Sequence, residues 1–305
     1  MDIRHIRAFI TLSKTLHFAR AAEGLGISAP TLTAQIQELE RLLQARLFER
    51  TKRSVSLTPA GDVFLVQAHA TLEQIEKAIQ IGRLAGRGQL GRVEIGYVGS
   101  ASFFGVLQDQ IRRFRARWPD VVVNTKEFPT EQLTALLDER RIDIAFVRTP
   151  VTLLPSIASH ALARDRFCLA VPVDHPLALV VDPVPSAMLA DERFVVPEQE
   201  LGLREVSRRG GFSAQVVSAP GTLVAVLTQV ALGVGIAIVP SIVIQATQLP
   251  GVIFKEIAGA VIISEVEALF RRHERLPTVC NLIDQIKGTD TDEWAITLPC
   301  NGGRM

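Results

Sequence analysis

The chain has 305 residues, 48% of them hydrophobic, with 33 Lys and Arg against 32 Asp and Glu for a net charge of +1. That length exceeds one ordinary core and predicts two or three domains, while no apolar run approaches the roughly 18–20 residues of a membrane span. The three cysteines, Cys168, Cys280 and Cys300, are far apart and odd in number, which suggests neither a disulfide framework nor a metal site and points to a reducing cytoplasm.

The start, MDIRHIRAFITLSK, is amphipathic rather than a charged stub before an apolar run, so it does not read as a secretory signal. Charge is uneven along the chain. Residues 1–60 hold nine Lys or Arg against five acids, an excess that suits local phosphate neutralisation. Ile3, Ile6 and Ile10 recur at helical spacing, with Phe9 widening the stripe. A second short helix is predicted from Phe18 to Leu25, where Ala21 and Ala22 let two helices cross closely. Gly24 and Gly26 make a turn. Ser28 is then a good N-cap, with Pro30 in the first turn of a third helix. The spacing turns Leu32, Ile36, Leu39 and Leu43 inward and leaves Thr31, Thr33, Ala34 and Gln37 outward.

That outward face suits a DNA groove: hydroxyls and an amide for base edges, and the positive helix start for phosphate. The stretch Arg50–Leu57 alternates and carries Lys52 and Arg53 at a turn, a wing able to reach the backbone or minor groove. An ordinary helical hairpin with a solvated basic corner is the competing reading. Next, Thr58 caps a helix with Pro59 at its first position. Leu65, Ala68, Leu72, Ile75 and Ile79 follow heptad spacing and predict a dimer seam, the alternative being burial against their own domain. Gly82, Gly86, Gly88 and Gly91 then predict a flexible hinge.

From Arg92 strands alternate with helices. Val93–Val98, Val121–Glu127 and Ile142–Val147 read as strands, with helices over Ser102–Trp118 and Glu131–Arg140 between them. A second set contains strands near Phe167–Val173, Arg193–Val196 and Ile236–Val239, and a helix around Thr222–Leu232. Ile262–Phe270 and the helix Pro277–Lys287 return to the first lobe. The rhythm implies mainly parallel sheets covered by helices. Ligands in such sheets bind beyond the carboxyl ends of strands, near helix N-termini. This rule selects Gly99, Ser100 and Ser102 after the first strand, Thr130 after the second, Arg148 after the third and Pro197 across the cleft. Ser100 and Thr130 also suit plain N-caps, and Arg148 an ion pair.

Phe9, FARAAEGLGIS (Phe18–Ser28), QIQELE (Gln35–Glu40), LFER (Leu47–Arg50) and LTPAG (Leu57–Gly61) together resemble the winged helix-turn-helix of LysR-type transcriptional regulators. The resemblance continues to about Lys287. It implies a multidomain α+β and α/β chain: a winged helix-turn-helix at 1–58, a linker and dimerisation helix at 59–88, and a two-lobed, periplasmic-binding-protein-like effector domain at 89–290. Lobe I would take about 89–163 and 267–290, lobe II about 164–266, with a tail at 291–305. It implies double-stranded DNA and a small-molecule effector as partners, a homodimer assembling to a homotetramer, and RNA polymerase as a further candidate. Ser28, Pro30, Thr31, Thr33, Gln37, Lys52 and Arg53 become the expected DNA contacts. Two positions depart from the family pattern, Ala29 for the usual Gln and Ala34 for a common Arg, so readout leans on the remaining polar residues and the wing.

The segment EIGYVGSASFFGVLQDQIRRFRARWPDV resembles the branch of the family that controls aromatic-compound breakdown, which implies an aromatic acid or related carboxylate as effector. No cofactor and no metal are expected. The six histidines show no HExxH spacing, Gly-x-Ser-x-Gly is absent, and ALGVGIAIVP (Ala231–Pro240) lacks the third glycine of a dinucleotide fingerprint, so an enzyme is not expected. A cysteine-based redox sensor of the same fold, an enzyme fused to a DNA-binding domain and a ligand-free architectural protein are the alternatives.

Overall fold

The computed structural model describes residues 1–51, 54–198, 200–247 and 249–289. The wing-tip residues Lys52 and Arg53, and the tail with Cys300, lie outside the described residues. The chain divides into two compact units, Met1–Leu84 and Ala85–Met305.

In the first unit, Asp2 caps α1 (Ile3–Thr15) and closes a capping box with His5. Helix α2 (Phe18–Gly24) buries Ala21 and Ala22 at its crossings. Helix α3 (Ala29–Leu43) starts at Ser28, whose Oγ accepts the Thr31 N–H at 3.2 Å. Its Leu32, Ile36 and Leu39 are completely buried, each contributing about 1.5–3 kcal/mol. Leu43, expected inward, is instead exposed because the last turn of α3 runs past the core and ends at Gln44 in a left-handed conformation. The wing is the antiparallel pair β1 (Phe48–Arg50) and β2 (Val55–Leu57). Glu40 ties it to α3: one carboxylate oxygen accepts the Leu47 and Phe48 N–H groups, and the other pairs with Arg50 at 2.8 Å.

Helix α4 (Pro59–Gly86) begins at Thr58, whose Oγ1 accepts the Gly61 N–H at 2.9 Å and donates to the Arg46 carbonyl. The heptad residues divide in a way the spacing does not reveal. Ala68 is buried in the core of its own unit, and Leu65 and Leu72 pack against that same core. Ile75 is half-buried and Ile79 exposed. The apolar side chains left open on α4 are Val63, Val66, Ile79 and Ile81. The glycine hinge is also shorter than expected. The helix continues through Gly82 to Gly86, and only Gly88 and Gly91 of the four have positive φ.

The second unit opens with β3 (Gly91–Tyr97), a 3-10 helix at Gly99–Phe104 and α5 (Val106–Arg117). The single helix expected over Ser102–Trp118 is broken because Gly105 takes φ 79°, a left-handed turn between the two. Then come β4 (Val121–Glu127), α6 (Thr130–Asp138), β5 (Ile144–Arg148) and the 16-residue β6 (Ile157–Pro172). Next are β7 (Arg193–Pro197), α7 (Leu201–Gly210), β8 (Gln215–Gly221), α8 (Leu223–Ala231), β9 (Ala237–Pro240) and α9 (Val243–Ala246). The unit closes with β10 (Val252–Lys255), β11 (Ile263–Arg271) and α10 (Pro277–Lys287).

Two lobes share this unit. Lobe I orders its strands β4-β3-β5-β11-β6, with β3 parallel to β4 and β5, and β11 antiparallel to β5 and β6. Beyond Arg166 the same β6 enters lobe II, where it pairs with β9 and β10, while β7 and β8 form a parallel pair. Lobe I has one core, to which α10 returns Val279, Leu282 and Ile286. Lobe II packs helices on both faces, around Leu169 and Phe194 on one and around Cys168 and Val195 on the other.

Candidate functional site

Two candidate surfaces follow from these elements, one in each unit. On α3, Ala29, Pro30, Thr31, Ala34 and Gln37 are exposed and share the outer stripe. The hydroxyls of Ser28 and Thr31 lie 2.7 Å apart as a capping pair. Thr33 contributes less than its position suggested: it is half-buried and its hydroxyl donates to the Ala29 carbonyl at 2.9 Å. An exposed helix start with its N–H groups outward favours an anion such as phosphate. Arg50 sits 5.2 Å from the centre of the Phe18 ring, joining the wing to α2.

The second surface is a cavity of about 580 Å³ between the two lobes. Lobe I supplies Gly99, Ser100, Ser102 and Phe103 from the 3-10 helix, and Glu127, Phe128, Pro129 and Glu131 from the passage between β4 and α6. Lobe II supplies Pro197, Glu198, Thr222 and Leu223, with Phe167 and Pro240 beneath. A Cβ on Gly99 would stand 2.5 Å from Glu127 Oε1, so glycine is what lets that carboxylate lie over the start of the 3-10 helix. Ser102 Oγ donates to the Gly99 carbonyl at 2.7 Å, and Thr222 caps α8.

Gly99, Ser100, Ser102, Arg148 and Pro197, selected by the strand-end rule, all line this cavity. Thr130 does not. It is the first residue of α6 rather than its cap, and it faces a neighbouring recess with Glu131, Glu198, Glu200 and Arg204. Its N–H donates to Glu198 Oε1 across the cleft in a short hydrogen bond. The orphan donor of the helix start is thus satisfied by a carboxylate of the chain itself. Phe103, Glu127, Phe128, Glu131, Phe167 and Glu198 were missed. Strand-end position was the available signal for Glu127 and Glu198, which lie at or just past the ends of β4 and β7.

Arg148 forms the floor of the cavity and is only 1% exposed. Its Nη1 donates to Ser264 Oγ at 2.5 Å and its Nη2 to the Ser100 carbonyl at 3.0 Å. Asp165 Oδ2 lies 3.9 Å away, and the guanidinium stands 5.2 Å from the Phe104 ring centre. Burial pulls the Arg148 pKa down to about 10, partly offset by Asp165. Asp165 also accepts from the hydroxyl of Ser241 and the N–H of Ile242. The pair therefore joins β5, β6, β11 and the turn after β9 at the point where strands pass between lobes.

Among the described residues no group of three or more His, Cys, Asp or Glu could hold a metal ion, and no helix is long and apolar enough to cross a membrane. Cys168 is buried in β6, and burial together with Glu274 and Asp284 raises the Cys280 thiol pKa. Raised thiols resist oxidation at neutral pH. We expect that hydrogen peroxide leaves DNA binding unchanged, and that changing Cys168, Cys280 and Cys300 together to serine does not alter that response; a peroxide-dependent footprint lost in the triple variant would restore the redox reading.

Residues 3–62 match the family model described as bacterial regulatory helix-turn-helix protein, lysR family, and residues 86–290 match the LysR substrate binding domain. The chain is 32% identical over 289 residues to the uncharacterized HTH-type transcriptional regulator YnfL of Escherichia coli (strain K12), covering 92% of this chain and 96% of that protein. It is 33% identical to the HTH-type transcriptional regulator XapR of the same organism, over 83% of this chain and 87% of the relative. Among solved structures, full-length CbnR in complex with its target DNA shares the fold at a TM-score of 0.78 and 24% identity, over 94% of this chain and 99% of that one.

Proposed function

The chain belongs to the LysR family of DNA-binding transcriptional regulators, and we propose that a small molecule held between its two lobes controls how it binds DNA. The observation that carries this is the interlobe cavity of about 580 Å³, lined from both lobes and floored by a buried ion pair that touches the crossing strands. A ligand that favours one lobe arrangement shifts the population of that arrangement, and DNA bending or half-site spacing follows. Residues 1–58 read DNA, 59–88 pair two chains, and 89–290 sense. The protein acts in the cytoplasm as a homotetramer built from two DNA-binding dimers, and as an activator it would contact RNA polymerase. The open residues Val63, Val66, Ile79 and Ile81 are better placed for pairing than Leu65, Ala68 and Leu72, which their own core occupies.

An aromatic acid, as the sequence resemblance implies, would find ring partners in Phe103, Phe128 and Phe167. The decisive measurement is a melting-temperature screen of the full chain, followed by footprinting upstream of its own gene with and without each hit. A ligand at about 100 times its Kd adds about 2.7 kcal/mol of stability, and the footprint should change with it. A broad panel of ring-bearing acids, amines and neutral compounds that never moves the melt would count heavily against a sensing cleft.

At the DNA face, Gln37→Ala should lower discrimination among sites by about 1–3 kcal/mol, whereas Arg53→Ala weakens all sites evenly and flattens the salt dependence. Equal loss on specific and random DNA would remove Gln37 from base readout.

A further inference from the structure

We propose that the ligand of the interlobe cleft is an organic cation with an aromatic or apolar body, rather than a carboxylate. This rests on the reading of that cavity as the effector site, and it replaces the aromatic acid that the sequence resemblance implies with a ligand of opposite charge.

Three carboxylates line the cavity: Glu127 at the end of β4, Glu131 in the first turn of α6 and Glu198 after β7. Arg148 is the one Lys or Arg among the described lining residues. Its charge is already answered by Asp165, and its guanidinium donates to Ser264 and to the Ser100 carbonyl. A carboxylate ligand would have to share that guanidinium with Asp165, Ser264 and the Ser100 carbonyl. The start of α6, one natural seat for an anion, is filled by Glu198, and at the start of α8, which also lines the cavity, the Thr222 side chain already accepts the Ala225 N–H. An incoming carboxylate would therefore meet three like charges, and although all three glutamates are exposed to water and partly screened by salt, the field at the cavity wall opposes an anion.

The same lining suits a cation. Phe103, Phe128 and Phe167 line the cavity, and aromatic faces attract ammonium groups electrostatically. Phe128 already hosts one: the Lys126 ammonium lies 5.1 Å from its ring centre. Besides Lys126, Arg204 stands in the adjoining recess, where Glu200 accompanies it. The acids remain in excess. A protonated amine on a ring or short apolar stem would set its charge among Glu127, Glu131 and Glu198 and its body against the phenylalanines.

The test uses full-length protein and two probes of matched size, benzylamine and benzoate, followed by calorimetric titration and thermal melts. Benzylamine should bind and raise the melting temperature, while benzoate should not. Glu127→Gln and Glu198→Gln should each weaken benzylamine at least tenfold, about 1.4 kcal/mol, with circular dichroism checking that both variants fold. Thr222→Trp, which crowds the cavity mouth, should also abolish it. Benzoate binding that tightens in the glutamine variants and is lost in Thr222→Trp would overturn the cationic ligand and leave the effector cleft standing. Binding of either probe that ignores all three substitutions would place it outside the cavity and overturn the inference. Absence of binding by both probes, in wild type and variants alike, would overturn this charge selectivity and weaken the cleft reading with it.

Discussion

Asp165→Ala should destabilise the two-lobed unit by about 3–5 kcal/mol, the cost of stranding a buried charge. Arg148 is 1% exposed and the Asp165 side chain is wholly enclosed. With pKa about 10 the guanidinium is still charged at neutral pH. Removing Asp165 leaves that charge unanswered and also deprives Ser241 and the Ile242 N–H of their acceptor. Asp165→Asn keeps an oxygen acceptor without the charge and should fall between wild type and alanine. Arg148→Met combined with Asp165→Leu should be less damaging than either single loss of charge, because no buried charge is stranded, although Ser241 and the Ile242 N–H still lose their acceptor. Urea unfolding of each variant gives the comparison. A loss under about 1 kcal/mol for Asp165→Ala would mean that the pair is solvated and contributes little to holding the crossing strands.

Gly61→Ala should cost the DNA-binding unit about 3 kcal/mol and abolish specific DNA binding. An added Cβ would stand 2.2 Å from the Leu47 carbonyl oxygen and 2.9 Å from Leu57 Cδ2. Backbone cannot yield as a side-chain tip can. The Leu47 oxygen also accepts the Thr58 N–H at 3.0 Å, so the clash attacks the cap of α4 and the base of the wing together. Gly82→Ala is the contrasting change. Nothing lies within 4 Å of its Cβ position, and alanine inside a helix is worth roughly 0.5–1 kcal/mol over glycine. Melting and DNA titration of both variants should move in opposite directions. A Gly61→Ala protein that melts and binds like wild type would show that the first turn of α4 can slide away from the wing.

Local chemistry made the DNA-reading helix legible. Ser28, Pro30, Ala21 and Ala22 act within a few residues of where they stand, so their roles are written in the adjacent sequence. Which face of α4 would meet a second chain was not legible, because heptad spacing identifies an apolar face and not what covers it. Leu65, Ala68 and Leu72 satisfy the spacing, yet the unit's own core takes them. The first ten residues of β6 were missed because His160, Arg164, Asp165 and Arg166 interrupt the apolar run. Those polar residues are also where that strand meets β11 and the buried pair. The cleft carboxylates escaped for another reason. Glu198 lies far along the chain from Glu127 and Glu131, and only the fold brings all three to one cavity.

The strand β6 runs 16 residues through both lobes, a span of roughly 50 Å. Its first part pairs with β11 and its last part with β9 and β10. Lobes joined by loops could swing like a hinged lid, whereas lobes threaded on a common strand must turn about it as on a torsion bar. Ligand closure would then be a few degrees of added twist along hydrogen-bonded backbone, elastic and self-restoring. The same bar makes the two lobes hard to separate in unfolding: melting either one strips hydrogen bonds from a strand the other needs. The sensing unit should accordingly lose its structure in a single cooperative step, and neither lobe should survive expression alone.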